Sequence, residues 1–189
     1  AGAGAVLAVN PFDEPDVAQA KAATQAALAT VRDTGELPRW PADGVAELVE
    51  VLSRARPGDY VALLAYLTPA LPTTEALQAL RALVLDRTRL ATTAGYGPRY
   101  LHSTGQLHKG GPATVIPVLL TGPPPGEDVV IPGERYGFGT LQLAQALGDL
   151  ATLRAAQRRA LWLPLSAPAP DALRRLAEAL DRALPRPVP

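Results

Sequence analysis

The stretch GYGPRYLHSTGQLHKGG, Gly95–Gly111, holds both histidines of the chain, His102 and His108. Five glycines interrupt it, and strand-like apolar runs flank it, Leu90–Ala94 before it and Thr114–Leu120 after it. Polar, glycine-rich segments between buried strands are the usual ligand positions of α/β sheets. The sequence therefore predicts an α/β fold that presents this stretch as its ligand site.

The composition fits one globular domain without a general affinity for polyanions. Of 189 residues 48% are hydrophobic, and 18 Lys and Arg balance 18 Asp and Glu. This argues against nucleic acid and anionic membrane as partners. The absence of Cys excludes thiolate metal sites and disulfides. No apolar run approaches the ~20 residues of a membrane helix, and the N-terminus has no signal-peptide pattern, so the cytoplasm is the default location.

The pattern of apolar residues predicts strands that alternate with helices, and hence a mainly parallel sheet covered on both faces. We expect a three-layer α/β/α sandwich with about five strands, formed as a single domain over residues 1–189. Because the chain lacks Met and begins in what looks like the middle of a domain, we expect it to be a fragment of a longer protein.

The predicted elements follow from periodicity, caps and breakers. The expected strands, the first of which would also suit the end of a helix, are Ala5–Val9, Tyr60–Leu67, Leu90–Ala94, Thr114–Thr121 and Ala160–Leu165. The expected helices are Glu14–Asp33, Gly44–Ala55, Thr73–Arg89, Gly139–Leu147, Leu150–Arg159 and Asp171–Leu184. Pro117 favours a bulge or an edge strand, and Gly148 is expected to break a helix. The runs LVEVL and YVALL would expose apolar surface without a partner domain, so dimerisation is also expected.

His102 is the sharpest candidate for chemistry, because its pKa is ordinarily near neutrality and it can move a proton. A helix that begins near Ser103 would offer free amide groups to a phosphate, and charged side chains nearby would add stronger hydrogen bonds. The predicted binding set is Arg99, Ser103, Thr104, Gln106 and Lys109. The alternative is that His102 only caps a helix or lies in a loop. His108 is interpreted as a structural residue on a helix surface.

A second candidate cluster is DEPDVAQAK, residues 13–21. Asp13, Glu14 and Lys21 would line a cleft at the start of a helix. The alternative is an ordinary capped helix with a solvated lysine, and the local pattern by itself favours that alternative.

Together these stretches resemble the phosphoglucose isomerase family, within the sugar isomerase (SIS) fold group. VNPFDEPDVAQAK is similar to the family's C-terminal signature, with matches at Asn10, Phe12, Asp13, Val17 and Lys21. GYGPRYLHSTGQLHKGGP and IPGERYGFG resemble segments of bifunctional transaldolase/phosphoglucose isomerase fusions. The resemblance covers nearly the whole chain and implies an SIS-like sandwich.

The resemblance also implies an activity, the interconversion of glucose 6-phosphate and fructose 6-phosphate without metal or organic cofactor. His102, with Gln106 four residues on, would assist ring opening, and Lys21 falls on a catalytic lysine. The family's general-base glutamate and its phosphate-binding loop have no match in this sequence. We therefore expect the C-terminal domain of a fusion, with a sugar phosphate as ligand and a second copy or the upstream domains as partners. The alternatives are a non-catalytic sugar-phosphate-binding domain and a purely structural one.

Overall fold

The computed structural model describes residues 2–8, 10, 15–123, 126–166 and 168–186. Four strands are present among these residues: β1 (Tyr60–Tyr66), β2 (Ala91–Tyr96), β3 (Val115–Thr121) and β4 (Leu161–Pro164). The helices are α1 (Gly2–Leu7), α2 (Pro15–Thr34), α3 (Val45–Ser53), α4 (Leu71–Thr88), α5 (Gly105–Gly110), α6 (Phe138–Ala155) and α7 (Ala169–Ala183). A short 3₁₀ helix, Arg99–His102, lies between β2 and α5.

The four strands form one parallel sheet in the order β2-β1-β3-β4. The fold is therefore α/β as expected, with four strands rather than about five. The difference lies at the N-terminus, where Ala5–Leu7, from the stretch expected as a buried strand or the end of a helix, form the end of helix α1. There Val6 and Leu7 are largely exposed, because this short helix packs only its Gly4 against the rest of the chain.

Helices cover both faces of the sheet and give the three layers. On the first face α3, α4 and α7 pack with alternate β1 and β3 residues, such as Leu63 and Ile116. On the second face α6 packs against the other alternate residues, such as Leu64 and Leu119. Helix α2 packs on α6 and α5 as an outer element. Burial on both faces explains why β1 is a continuous apolar run.

Helix α6 corrects the expectation of two helices broken at Gly148. The helix is continuous because Gly148 lets α2 approach closely instead of ending the helix. A Cβ at this position would lie 2.6 Å from Thr24 Oγ1 and 2.8 Å from the Thr24 amide nitrogen. The glycine that predicts a helix break in the sequence is instead needed for the close packing of α2 on α6.

Pro117 lies in β3, which has strand neighbours on both sides, so the expectation of an edge strand was wrong. The Thr121 carbonyl accepts a hydrogen bond from the Leu165 amide on the β4 side. The backbone N–H and C=O groups of the odd-numbered residues of β3 therefore point towards β4. Pairing with β4 begins only at Val118. The proline nitrogen, which has no hydrogen to donate, therefore points to a position that β4 does not reach.

The two apolar runs expected to be exposed are largely buried. YVALL belongs to β1, and LVEVL places Leu48 and Leu52 in the core of the first face. These runs therefore give no support for dimerisation. Within the described ranges, none of the helices has the length and apolar character needed to cross a membrane.

Candidate functional site

A groove runs along the carboxyl edge of the sheet. The residues that line it include Thr68, Pro98, Gly122 and Leu165, each of which follows the C-terminal end of a different strand. Strands β1 and β3 are neighbours, yet the chain leaves β1 for α4 on one face and β3 for α6 on the other. Ligands of open α/β sheets bind at such switch points.

One end of the groove is a cavity of about 180 Å³ that is lined by both Lys21 and His102. Lys21 comes from α2, whereas His102 ends the 3₁₀ helix, and both side chains are exposed. The remaining lining residues are Ala20, Thr24, Gln25, Pro98, Leu101, Leu141 and Gln145. An ammonium, an imidazole and two amides in one small cavity suit a ligand with an anionic group and several hydroxyl groups.

The groove continues from this cavity into two others of different charge. A space of about 490 Å³ shares Pro98, Leu141 and Gln145 with the first cavity and adds Glu127 and Asp128. It adjoins a third space of about 350 Å³, floored by Tyr66 and walled by Trp162. The groove therefore has a basic end and an acidic middle.

Asp128 fixes the acidic part of the groove to the start of α6. Its carboxylate accepts hydrogen bonds from the amides of Gly139 (2.7 Å) and Thr140 (3.4 Å). The segment between Asp128 and α6 forms a hairpin, closed by an antiparallel bridge between Val130 and Gly137. It is anchored to α2, where Arg32 donates two hydrogen bonds to Glu134 at 3.0 and 2.8 Å. This hairpin supports residues 127–129, which line the groove.

Lys109 lies apart from the groove, in spite of its predicted role in phosphate binding. Its side chain is fully buried, and its Nζ lies 2.5 Å from Oδ1 of Asp149, which is also fully buried. The Tyr66 hydroxyl lies 3.5 Å from the other oxygen of that carboxylate. Burial raises the pKa of Asp149 above its usual range, whereas the Tyr66 hydroxyl lowers it and the adjacent ammonium favours the ionised form. This placement disfavours contact between Lys109 and a substrate.

His108 is buried, so the expectation that it lies on a helix surface was wrong. Only 2% of the residue is exposed, and its Nδ1 lies 2.9 Å from the Tyr60 hydroxyl. Burial and, to a smaller extent, the neighbouring Lys109 charge lower the pKa of His108 to about 4. The imidazole is therefore neutral at pH 7.

The other residues of the central stretch are only partly brought to the cavity. The amides of Ser103 and Thr104 both donate to the Tyr100 carbonyl, at 3.0 and 2.9 Å, so they are not the free amide groups expected for a phosphate. The Ser103 hydroxyl donates to the same oxygen. Arg99 is exposed but is not among the residues lining the cavity, and Gln106 is half-buried on α5.

The predicted residues Asp13 and Glu14, together with Phe12 of the signature, lie outside the described residues. The structure adds three residues that the sequence reasoning missed. Gln25 follows Lys21 by one helical turn, a spacing that could have indicated a shared face. Asp149 is an isolated acid within the apolar run ALGDLATL, which is a signal of a buried charge. Gln145 carries no such signal.

The described residues contain no cluster of three or more His, Cys, Asp or Glu side chains able to hold a metal ion. No family model matches the chain, and no curated protein matches it. Among solved structures, the chain is similar to a hypothetical protein from Thermus thermophilus, with a TM-score of 0.61 and 20% sequence identity. The similarity covers 90% of this chain and 43% of that protein, so the chain spans less than half of its length. At this identity the similarity establishes a common fold.

Proposed function

We propose that the chain forms the C-terminal part of a glucose-6-phosphate isomerase, within a longer transaldolase/isomerase fusion. The observation that carries the proposal is that Lys21 and His102, from distant parts of the sequence, line one cavity at the carboxyl edge of the sheet. The two stretches that resemble the isomerase family are thus neighbours in space. The parent protein would act in cytoplasmic carbohydrate metabolism.

In this proposal His102 and Lys21 serve the ring-opening step. The imidazole transfers a proton between the anomeric hydroxyl and the ring oxygen, and the ammonium stabilises negative charge that develops on the ring oxygen. The amides of Gln25 and Gln145 lie at the same cavity and would bind sugar hydroxyl groups. The substrate phosphate would remain near Lys21, because the middle of the groove carries Glu127 and Asp128.

The later proton transfer between C2 and C1, through a cis-enediol, needs a general base. Among the described residues that line the Lys21–His102 cavity there is no carboxylate. We expect the base to come from an upstream domain or a second copy of the chain, which are the proposed partners.

The same observation favours a second candidate function, a sugar-phosphate-binding domain that catalyses nothing. Under this alternative Lys21 and His102 contribute affinity alone. Substitution of His102 separates the two candidates. In the parent enzyme, His102→Ala should abolish isomerisation and barely change affinity if the residue is catalytic, but should weaken binding if it only contacts the ligand.

The first experiment is a titration of the chain with fructose 6-phosphate, followed by amide NMR. We expect shifts confined to residues near Lys21, Pro98–His102 and Gln145, and much weaker binding of fructose. Lys21→Ala should reduce affinity about tenfold or more, whereas Arg39→Ala, which removes an exposed cation that does not line the cavity, should not. No shift up to millimolar ligand, in a folded chain, would refute a competent site in this domain.

A further inference from the structure

The segment that carries His102 is held to the sheet where it begins. The Gly97 amide donates a hydrogen bond to the Ala65 carbonyl at 2.9 Å. Gly97 also lies against the face of the Tyr66 ring, since a Cβ at this position would be 2.5 Å from a ring carbon. Pro98, the next residue, lines the Lys21–His102 cavity. The Tyr66 ring therefore packs directly against the beginning of the segment that carries His102.

The same segment is held at its other end by buried charges. Lys109 Nζ lies 2.5 Å from Asp149 Oδ1 with both side chains fully buried. Arg158 donates hydrogen bonds to the carbonyls of His108 (3.1 Å) and Gly111 (2.6 Å), which fixes the end of α5. The backbone from residue 97 to residue 111 is thus restrained on both sides of His102.

One carboxylate is common to both restraints. Asp149 Oδ1 contacts Lys109, and Asp149 Oδ2 lies 3.5 Å from the Tyr66 hydroxyl. Asp149 comes from α6, the helix that also contributes Gln145 and Leu141 to the cavity. Any change at this carboxylate therefore acts on both ends of the segment and on the helix beside it.

Stability alone does not account for this arrangement. The surroundings of Asp149 on α6 are apolar, with Leu147, Leu150 and Leu153 in the core of the second face. In such surroundings an apolar pair of similar size is often as stable as a buried ion pair, or more so. An apolar pair can pack with α5 in several positions. An ion pair requires its two charged groups to lie at a particular distance, and so it fixes the position of α5 relative to α6.

We propose that Asp149 is a positioning residue, which through Lys109 and Tyr66 holds the segment 97–111 so that His102 faces the cavity opposite Lys21. The role in binding rests on the proposed function, but the position of His102 does not. The inference adds to the site a residue that touches neither ligand nor cavity.

The test replaces the buried pair with apolar residues, in the double variant Lys109→Met/Asp149→Leu. The matched control is Arg87→Met/Asp181→Leu, which removes an ion pair between α4 and α7 on the opposite face of the sheet. Three quantities are measured: the free energy of unfolding in urea, the imidazole NMR resonances of His102, and the dissociation constant for fructose 6-phosphate.

We expect the Lys109/Asp149 double variant to stay folded with stability close to that of the wild type, while the His102 resonances shift or broaden and the dissociation constant rises about tenfold or more. The control should leave His102 and the affinity unchanged. A folded double variant whose His102 resonances match the wild type overturns the proposal.

A second variant, Asp149→Asn, keeps the shape of the side chain and covers the case in which the double variant does not fold. Altered His102 resonances in this folded variant support the proposal, and unaltered ones overturn it. If neither variant folds, Asp149 is required for stability and the positioning role is overturned as well. If the wild type does not bind fructose 6-phosphate, the proposed function fails, but the resonances of His102 still decide the positioning role.

Discussion

The two faces of the sheet bury different kinds of side chain. The core of the first face, under α3, α4 and α7, consists mainly of leucine, valine, isoleucine and alanine, and its ion pair of Arg87 and Asp181 lies at the margin, where Asp181 is exposed. The second face, under α6 with α2 and α5, buries His108, Lys109 and Asp149 among its leucines. The second face is also the one that presents His102 and Lys21 to the groove.

The difference shows that specific polar contacts are concentrated on the second face, which carries the candidate site. Apolar contacts are not directional, so the first face needs only the right volume and pattern. Buried polar groups need particular partners at particular distances, and the loss of one partner leaves the other as an unsatisfied buried group, which destabilises the fold. The face that carries the candidate site is the one that accepts this constraint.

The largest effect should come from breaking the buried pair on one side only. Lys109→Met leaves Asp149 alone in the core, and we expect a loss of about 3–5 kcal/mol in the free energy of unfolding at pH 7. Without the Lys109 ammonium, the pKa of the buried Asp149 carboxyl rises further, so the folded variant binds a proton at pH values where the folded wild type and the unfolded chain do not. Its penalty relative to the wild type should therefore shrink as the pH is lowered from 8 towards 4.

Leu173→Ala on the first face is the comparison for that variant. Leu173 is fully buried in the apolar core, and the cavity should cost about 2–5 kcal/mol. Because no ionisable group is exposed or orphaned, the loss relative to the wild type should not vary with pH. Urea unfolding at several pH values checks both variants, and a pH-dependent loss in Leu173→Ala would remove the contrast between the faces.

The next effect concerns the two histidines, which lie on the same side of the sheet in opposite environments. The pKa of His108 falls from 6.5 to about 4 in the folded protein. Between these values the unfolded chain binds a proton that the folded chain does not, so stability is complete above pH 6.5 and falls as the pH drops towards 4. The full difference is about 3 kcal/mol.

Unfolding curves at pH 7 and pH 4.5 measure this loss. His108→Gln, whose amide can still bond to Tyr60, should reduce the loss on acidification. His102→Gln is the matched comparison, because it replaces the exposed histidine of the chain in the same way. Equal pH dependence in wild type and His108→Gln would show that the second face does not contain an acid-sensitive group at this position.

The smallest effect is expected where α2 meets α6. Gly148→Ala places a methyl group against Thr24, and overpacking of this kind costs about 1–3 kcal/mol. Since α2 carries Lys21, the displacement should also weaken binding of fructose 6-phosphate. Gly2→Ala, where a Cβ meets nothing within 4 Å, is the matched control. A stable Gly148→Ala variant with unchanged affinity would mean that the α2–α6 distance does not matter to the site.

Sequence periodicity predicted the first face well. Helix α7 buries Leu173, Leu176 and Leu180 as expected, because its apolar residues recur at helical spacing. The run Tyr60–Leu67 was also assigned correctly, with β1 at Tyr60–Tyr66, since a strand buried on both faces is apolar throughout. Where burial follows apolar character alone, the sequence is sufficient.

The second face was predicted less well, for a physical reason. The sequence predicts a ligand-binding role for Lys109 because lysine is seldom buried, and its partner Asp149 lies in another helix. Gly148 predicts a helix break because its packing partner, Thr24, lies in another helix that is still more distant in sequence. No pattern in either stretch indicates that Lys21 and His102 line one cavity. Contacts that depend on a specific distant partner leave no periodic signal.

Pro117 also limits how the last strand can align. The backbone N–H and C=O groups of the odd-numbered β3 residues point towards β4, and the pairing starts at Val118 with Leu161. If β4 slid two residues towards the beginning of β3, one of its carbonyls would meet the proline nitrogen and find no hydrogen-bond donor. A two-residue slip keeps every side chain on its own face, so the apolar pattern does not forbid it. The missing donor opposes the slip, and Pro117 thereby helps to set the alignment of Trp162 and Leu165 at the groove.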